Sequence, residues 1–321
     1  MMHLAILGNG MIVGEALHAL QYIDEIHVAA IWSRERSRSK SEALAAEYHI
    51  DGVYTDYSAL LSSGEIDTVY VGLVNSVHYQ YARLALLAGK HVILEKPSCT
   101  SRQELDELCR IASDRHLFLW EAVTFLHAPY FARVRSAKLS LGPVRLIQCN
   151  YSKYSSRYDR YLHHDIAPAF DPACQGGALL DLNIYNLNFV ISLFGPPERI
   201  SYFPNVGYNG IDISGVAHLG YPGFQCVCSA AKDSSSPNFM QIQGEKGWLK
   251  LVGSPDNFKQ LEVFLNGQLT VTDIRSVQHR MIDEFRDFEH MLSTRDFRRM
   301  QQFLTISQEV AAAAEAAHRD F

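Results

Sequence analysis

The first 120 residues alternate short apolar runs with helical patterns, and that alternation admits few folds. Apolar runs fall at His3–Leu7, Ile26–Ile31, Thr68–Leu73, His91–Leu94 and Leu117–Trp120. Helical patterns lie between them at Met11–Leu20, Arg36–Tyr48, Val77–Ala88 and Ser101–Ser113. Strands that are apolar throughout are buried on both faces, and helical crossovers make them parallel. The pattern predicts an α/β fold that begins with a Rossmann-type doubly wound parallel sheet over residues 1–120.

After Glu121 the pattern changes. A helix at Ala128–Leu139 stops at Leu141-Gly142-Pro143, and Val144–Tyr154 reads as extended. An apolar helix at Gly177–Phe194 ends on Gly195-Pro196-Pro197. Strands then follow without helices between them: Ile211–Tyr221, Phe224–Ala231, Phe239–Gln243, Trp248–Val252 and Leu261–Leu265. Helices around Met281–Leu292 and Gln301–Ala317 close the chain. This predicts a second domain, residues 121–321, of α+β type with a mostly antiparallel, open-faced sheet.

Composition excludes several classes of function. The 321 residues are 47% hydrophobic and 20% charged, with net charge -6, so a folded acidic protein is expected. No basic run stands out, so nucleic acid is not an expected partner. No run of about 18 apolar residues is evident, so no membrane span is expected. The N-terminus MMHLAILGNG leads straight into a strand, so no leader is expected. Six scattered cysteines, Cys99, Cys109, Cys149, Cys174, Cys226 and Cys228, read as reduced thiols of a cytoplasmic protein. Cys226 and Cys228 alternate along a strand and are not expected to point together at a metal. The pair His163-His164 lacks a second ligand cluster, so no metal is expected.

Gly8-Asn9-Gly10 follows the first strand and opens a helix. Glycine there lets the backbone approach a pyrophosphate, and the helix N-terminus favours the anion. A full dinucleotide fingerprint would place a small residue where Val13 stands, so the match is partial. The second strand ends in Trp32-Ser33-Arg34 rather than in the acid that holds a ribose 2′-hydroxyl. Ser33, Arg34 and Arg38 suit a 2′-phosphate instead, which favours NADP and leaves NAD possible.

Three motifs carry a resemblance. Gly89–Pro97 runs through a strand into Glu95-Lys96-Pro97. Gly176–Tyr185 reads Gly-Gly-Ala-Leu-Leu-Asp-Leu-Asn-Ile-Tyr. Val77-His78 opens the helix leading to Ala88-Gly89-Lys90-His91. Together they resemble the Gfo/Idh/MocA oxidoreductases, across essentially the whole chain. The resemblance implies hydride exchange between a nicotinamide cofactor and a sugar, polyol or diol. It implies Lys96, Asp181 and Tyr185 as the catalytic set, with Tyr185 handling the proton and Lys96 assisting it. Asp181 and Tyr185, four apart, are expected on one helical face. The implied cofactor residues are Gly8, Asn9, Gly10, Met11, Ile12, Ser33, Arg34, Arg38, Leu73, Asn75, His78, Glu95, Lys96 and Pro97. It also implies a homo-oligomer, dimer or tetramer, built on the exposed face of the second sheet. The chain departs from the family pattern at Val74-Asn75, at Leu126-His127 and at Asn183, which stands for a usual glycine.

The polar, aromatic run Tyr151–His164 suits a hydroxylated ligand, so Tyr154, Arg157 and His164 are candidates for a substrate wall. Two other readings share the fold: a non-catalytic NADP sensor, and an enzyme that uses tightly bound NAD transiently. Retention of Lys96, Asp181 and Tyr185 together favours a working dehydrogenase.

Overall fold

A computed structural model describes residues 1–276 and 278–319. The chain divides into two compact units. The first holds Met1–Thr124 and 278–308, and the second holds 125–276 and 309–319 among the described residues. A single cut at 120 therefore does not describe the packing, because a C-terminal stretch returns to the first unit.

The first unit has a parallel sheet of β1 (Met2–Leu7), β2 (Ile26–Trp32), β3 (Gly52–Tyr54), β4 (Thr68–Val71), β5 (His91–Glu95) and β6 (Leu119–Ala122), ordered 3-2-1-4-5-6. Its helices are α1 (Met11–Leu20), α2 (Arg38–Tyr48), α3 (Tyr57–Ser62), α4 (His78–Leu87) and α5 (Arg102–Asp114). Leu4, Ile6, Val69, Val71, Val92 and Leu94 are fully buried, as strands covered on both faces must be. The strand β3 and helix α3 were not expected. β3 is three residues long, below any useful periodicity, but Asp56 caps α3 by accepting from the Ser58 and Ala59 amides. The returning helix α10 (Ile282–Thr294) belongs here because its aromatics have partners here. Phe285 meets Tyr70 at 5.7 Å and Phe288 stacks on Trp120 at 5.3 Å.

A short turn of helix, α6 (Thr124–His127), precedes α7 (Pro129–Ser140). The sheet of the second unit comprises β7 (Val144–Ser152), β8 (Arg199–Val206), β9 (Asp212–Tyr221), β10 (Phe224–Ala231), β11 (Phe239–Gly244), β12 (Gly247–Ser254), β13 (Asn257–Leu265) and β14 (Gln268–Asp273). Their order is 14-13-12-11-7-10-9-8, and only the β7–β10 pair is parallel. The short helix α8 (Tyr158–Leu162) leaves β7, and α9 (Ile184–Phe194) covers one sheet face. The last helix, α11 (Phe297–Arg319), supplies residues to both units. Strands β8 and β14 were also unexpected.

Two sequence expectations are corrected here. Pro172–Phe194 is long and apolar enough to span a membrane, but 78% of its apolar window is buried in the second unit. A helix apolar all round needs such cover. Cys226 and Cys228 do point the same way: both are fully buried with Sγ atoms 3.6 Å apart. Residues two apart in a strand share a face, which the alternation argument overlooked.

Candidate cofactor turn and active-site helix

In the first unit, strand order reverses at β1, and the glycines sit at that switch point. Gly8 has φ +103, and a Cβ there would come within 2.7 Å of the Gly72 carbonyl oxygen. A Cβ on Gly72 would reach 2.8 Å from Val13 Cγ2. The fingerprint's small residue is thus moved: Val13 stays on the helix, and Gly72 on the strand side makes the room. A Cβ on Gly10 would meet nothing within 4 Å, and no side chain caps α1 among the described residues. Bare amides of Met11 and Ile12 at an open helix start fit a dinucleotide pyrophosphate.

Asn9 does more than separate two glycines. Its side-chain amide donates to the Ser37 carbonyl and to Ser41 Oγ, each at 3.0 Å. Ser41 in turn donates to Ser33 Oγ at 2.8 Å. Ser33 is 2% exposed, so its hydroxyl braces the β2 turn from inside. The outward groups of this turn are arginines. Arg38 pairs with Glu42 at 2.9 Å and lies 3.9 Å from Glu35. Arg34 is exposed and carries no ion pair among the described residues. It is the group best suited to a 2′-phosphate.

The Glu95–Ser98 turn is locked by buried side chains. Tyr70 donates to Glu95 Oε1 at 2.5 Å, and the Lys96 amide lies 3.3 Å from Glu95 Oε2. Burial pushes the Glu95 carboxyl up from its ordinary value, against the pull of Tyr70 and Lys96. His78 lies between two carbonyl oxygens, Nδ1 2.9 Å from Pro97 and Nε2 3.1 Å from Leu73. Burial pushes its imidazole down. Glu121 accepts from the Ser98 amide at 2.8 Å. The Lys96–Pro97 peptide is cis. Lys96 is half-buried; Leu73 and Asn75 follow β4 rather than end it.

In the second unit, Asp181 lies in a π-helical turn, Leu179–Asn183, and Tyr185 in the α-helix after it. The expected face is thus built across a π turn and the α-helix after it rather than within one α-helix, and Asp181 and Tyr185 both act on the Tyr151 hydroxyl. Gly177 has φ +98, and a Cβ there would fall 1.8 Å from Asp212 Oδ1. The glycine lets Asp212 receive the Leu179 amide at 2.6 Å and the Tyr202 hydroxyl at 2.7 Å. Asn183, where the family pattern has glycine, donates to the Cys228 carbonyl at 3.0 Å. It also accepts from Asn186, which donates to the Ser229 carbonyl at 3.0 Å. These amides tie the helix to β10.

Asp181 pairs with Lys232 Nζ at 2.8 Å, a residue the sequence reading did not single out. Lys232 follows an apolar strand and looks like a solvated strand end; nothing in its spacing marks it. Tyr185 is 7% exposed and meets Tyr151 edge-on at 5.7 Å. Burial, then Asp256, Tyr185 and Asp181, push the Tyr151 hydroxyl well up, so it stays a neutral phenol.

Of the three substrate-wall candidates, Tyr154 and His164 are the two ends of one chain of ring contacts through Tyr158, Tyr161 and Tyr208. Tyr154 donates to Asp159 at 2.6 Å, Arg157 precedes α8, and exposed His164 lies 4.4 Å from the Tyr208 ring. No hydrogen bond or ring contact joins these three directly among the described residues. The run's inward aromatics pack, with Tyr161 and Phe170 stacked at 5.0 Å.

Comparison with known proteins agrees with both units. Residues 2–123 match the oxidoreductase family with NAD-binding Rossmann fold, and residues 132–250 match the GFO/IDH/MocA C-terminal domain. The chain is 30% identical to scyllo-inositol 2-dehydrogenase (NADP(+)) IolU of Bacillus subtilis, over 77% of this chain and 75% of that protein. It is 30% identical to trans-1,2-dihydrobenzene-1,2-diol dehydrogenase of Sus scrofa, over 77% and 73%. The fold matches that of KijD10, a 3-ketoreductase of Actinomadura kijaniata crystallised with NADP and TDP-benzene. The TM-score is 0.86 at 21% identity, covering 99% of this chain and 97% of that one. With a glycine turn fit for a dinucleotide, a locked Glu95-Lys96-Pro97 strand end and family matches spanning both units, the chain belongs to the Gfo/Idh/MocA family of oxidoreductases.

Proposed function

We propose that this chain is an NADP(H)-dependent dehydrogenase or reductase that exchanges hydride with a sugar, polyol or diol-like substrate. The observation that carries this reading is the first unit's strand-end surface. An uncapped, open α1 start lies on the same sheet edge as the braced Lys96 turn, with unpaired Arg34 at the end of β2. The relatives named for inositol and diol dehydrogenation support the substrate class. Gly8, Asn9, Gly10, Met11, Ile12 and Arg34 hold the dinucleotide, with Leu73, Asn75, His78 and the Glu95–Pro97 turn beside them. The bound nicotinamide supplies hydride exchange at carbon. On the pattern of the resemblance, Lys96 of the first unit assists proton transfer, and Tyr185 of the second gives or takes the proton with Asp181 of the same helical segment. Tyr154, Arg157 and His164 remain candidates for substrate contact.

Exposed Phe203, Val206, Val216, Leu269 and Val271 on strands of the second sheet support a homo-oligomer, and free thiols support a cytoplasmic setting. The test of function is a fluorescence titration with NADPH and NADH, followed by a turnover screen over sugars, polyols and diols. Tighter NADPH binding and a turned-over polyol are expected. Tighter NADH binding overturns the cofactor assignment, and a Tyr185→Phe enzyme with full turnover removes Tyr185 from the mechanism.

A further inference from the structure

Lys232 is 2% exposed, and a lysine that deep costs free energy unless it is fully partnered. Its partners come from four parts of the second unit. Nζ donates to Asp181 Oδ2 at 2.8 Å and to the Ala169 carbonyl, and lies 4.5 Å from the centre of the Phe170 ring. The Ala169 carbonyl also takes the Gly177 amide at 3.1 Å. A Cβ on Gly176 would strike that same carbonyl at 2.7 Å, so the glycine pair is what brings the helix start onto the lysine's box.

The lysine's own backbone is clamped. Its amide donates to the Ile213 carbonyl and its carbonyl accepts from the Ser155 amide, each at 2.8 Å. The parallel β7–β10 and antiparallel β9–β10 pairings thus deliver one fixed cation beneath the π turn. The pair is not sealed: Asp181 is 34% exposed while Lys232 is closed in. A purely structural ion pair is replaceable by apolar groups at little cost. This one instead presents an interior charge to a carboxylate that reaches the surface.

We propose that Lys232 is a positioning residue for the active-site helix: it holds Asp181 ionised and in place, and acts on the reaction only through Asp181. The inference rests on the functional reading above. Other titratable groups face the same spot. Tyr151 comes from β7, Tyr185 from α9, Asp212 from β9 with Tyr202 bonded to it, and Asp256 from the turn after β12. Asp233, next along the chain, is held by Ser214 at 3.0 Å.

The experiment is a ¹³C titration of aspartate-labelled protein, with the Asp181 signal assigned by Asp181→Asn. Turnover on the best polyol of the screen is measured in parallel. In Lys232→Met the Asp181 midpoint should rise by at least about one pH unit, since an adjacent cation favours the charged carboxylate by that order. Turnover should fall about tenfold or more, with NADPH affinity within about twofold. The Lys232→Met/Asp181→Asn double variant should be no slower than the slower single variant. An unmoved midpoint, or losses that multiply in the double variant, overturns the proposal. Should Lys232→Met fail to fold, the double variant, which leaves no charge unpaired, is compared with Asp181→Asn. Equal turnover supports the proposal and a further tenfold loss overturns it. If no polyol is turned over at all, the functional reading fails, while the titration still decides whether Lys232 holds Asp181.

Discussion

The two units give their buried carboxyls different partners. In the first, the buried carboxylates lean on neutral donors: Glu95 on the Tyr70 hydroxyl, and Glu121 on the Ser98 amide. Burial pushes both upward, and Glu284 on the returning helix further still, with Glu95 nearby adding to it. In the second, Asp181 is matched to a buried lysine, and Asp212 collects two donors while lying near the same cation. Burial raises carboxyls in both units, Glu95 and Glu121 in the first and Asp212 in the second; what sets the second apart is the buried cation beside Asp181.

Gly177→Ala should test the second arrangement most severely. A Cβ 1.8 Å from Asp212 Oδ1, at positive φ, forces the Asp212 cap apart. A loss on the order of 4 kcal/mol is expected by denaturant titration; a loss under about 1 kcal/mol would show that Asp212 can swing away.

Tyr70→Phe probes the first arrangement. It leaves Glu95 Oε1 without its hydroxyl donor inside the core, at about 1–3 kcal/mol. The loss should grow as pH rises, because the stranded group is then asked to ionise. A loss independent of pH between 5 and 9, on the order of that range, would mean that Glu95 is not the responding group.

Arg34→Ala should weaken NADPH binding about tenfold, and Arg38→Ala by less than about threefold, because Glu42 already occupies Arg38. Equal effects would erase the distinction between a free and an engaged arginine.

Glu284→Gln should be the mildest change, and of opposite sign: a gain on the order of 1 kcal/mol at pH 8. Its Oε2 has no hydrogen-bond partner, and its folded value lies well above the unfolded one. The folded state then binds the proton more tightly, so the glutamate's stability contribution is present below the unfolded value, near 4.5, and is lost as pH rises through the folded value. The variant's advantage should vanish at low pH. His78 works on the other limb: its folded value is depressed below 6.5, so its contribution is present above that value and lost as pH falls. Thermal unfolding across pH 4–9, a span of about five units, reads both.

Local rules made the first unit's candidate site legible. Gly8, Arg34, His78 and Lys96 each follow or open a regular element, so each could be placed by counting along the chain. Some misses had signals. Asp56 before Tyr57-Ser58 is a helix cap, and Asn266-Gly267, with φ values of 51 and 77, is the turn that makes β14. The π turn had none; the Asn183 and Asn186 bonds to carbonyls of β10 beside it are long-range.

By itself the sequence determined the alternation that builds a parallel sheet, the glycine and proline stops, the candidate cofactor turn and the family, because these depend on neighbours within a few residues. Only the tertiary structure decided that Gly72 makes room for Val13, that Ser33 turns inward, and that Lys232, 51 residues from Asp181, becomes its counter-charge. Strand pairing places such groups, and no spacing along the chain encodes which carbonyl, ring and carboxylate will enclose one ammonium.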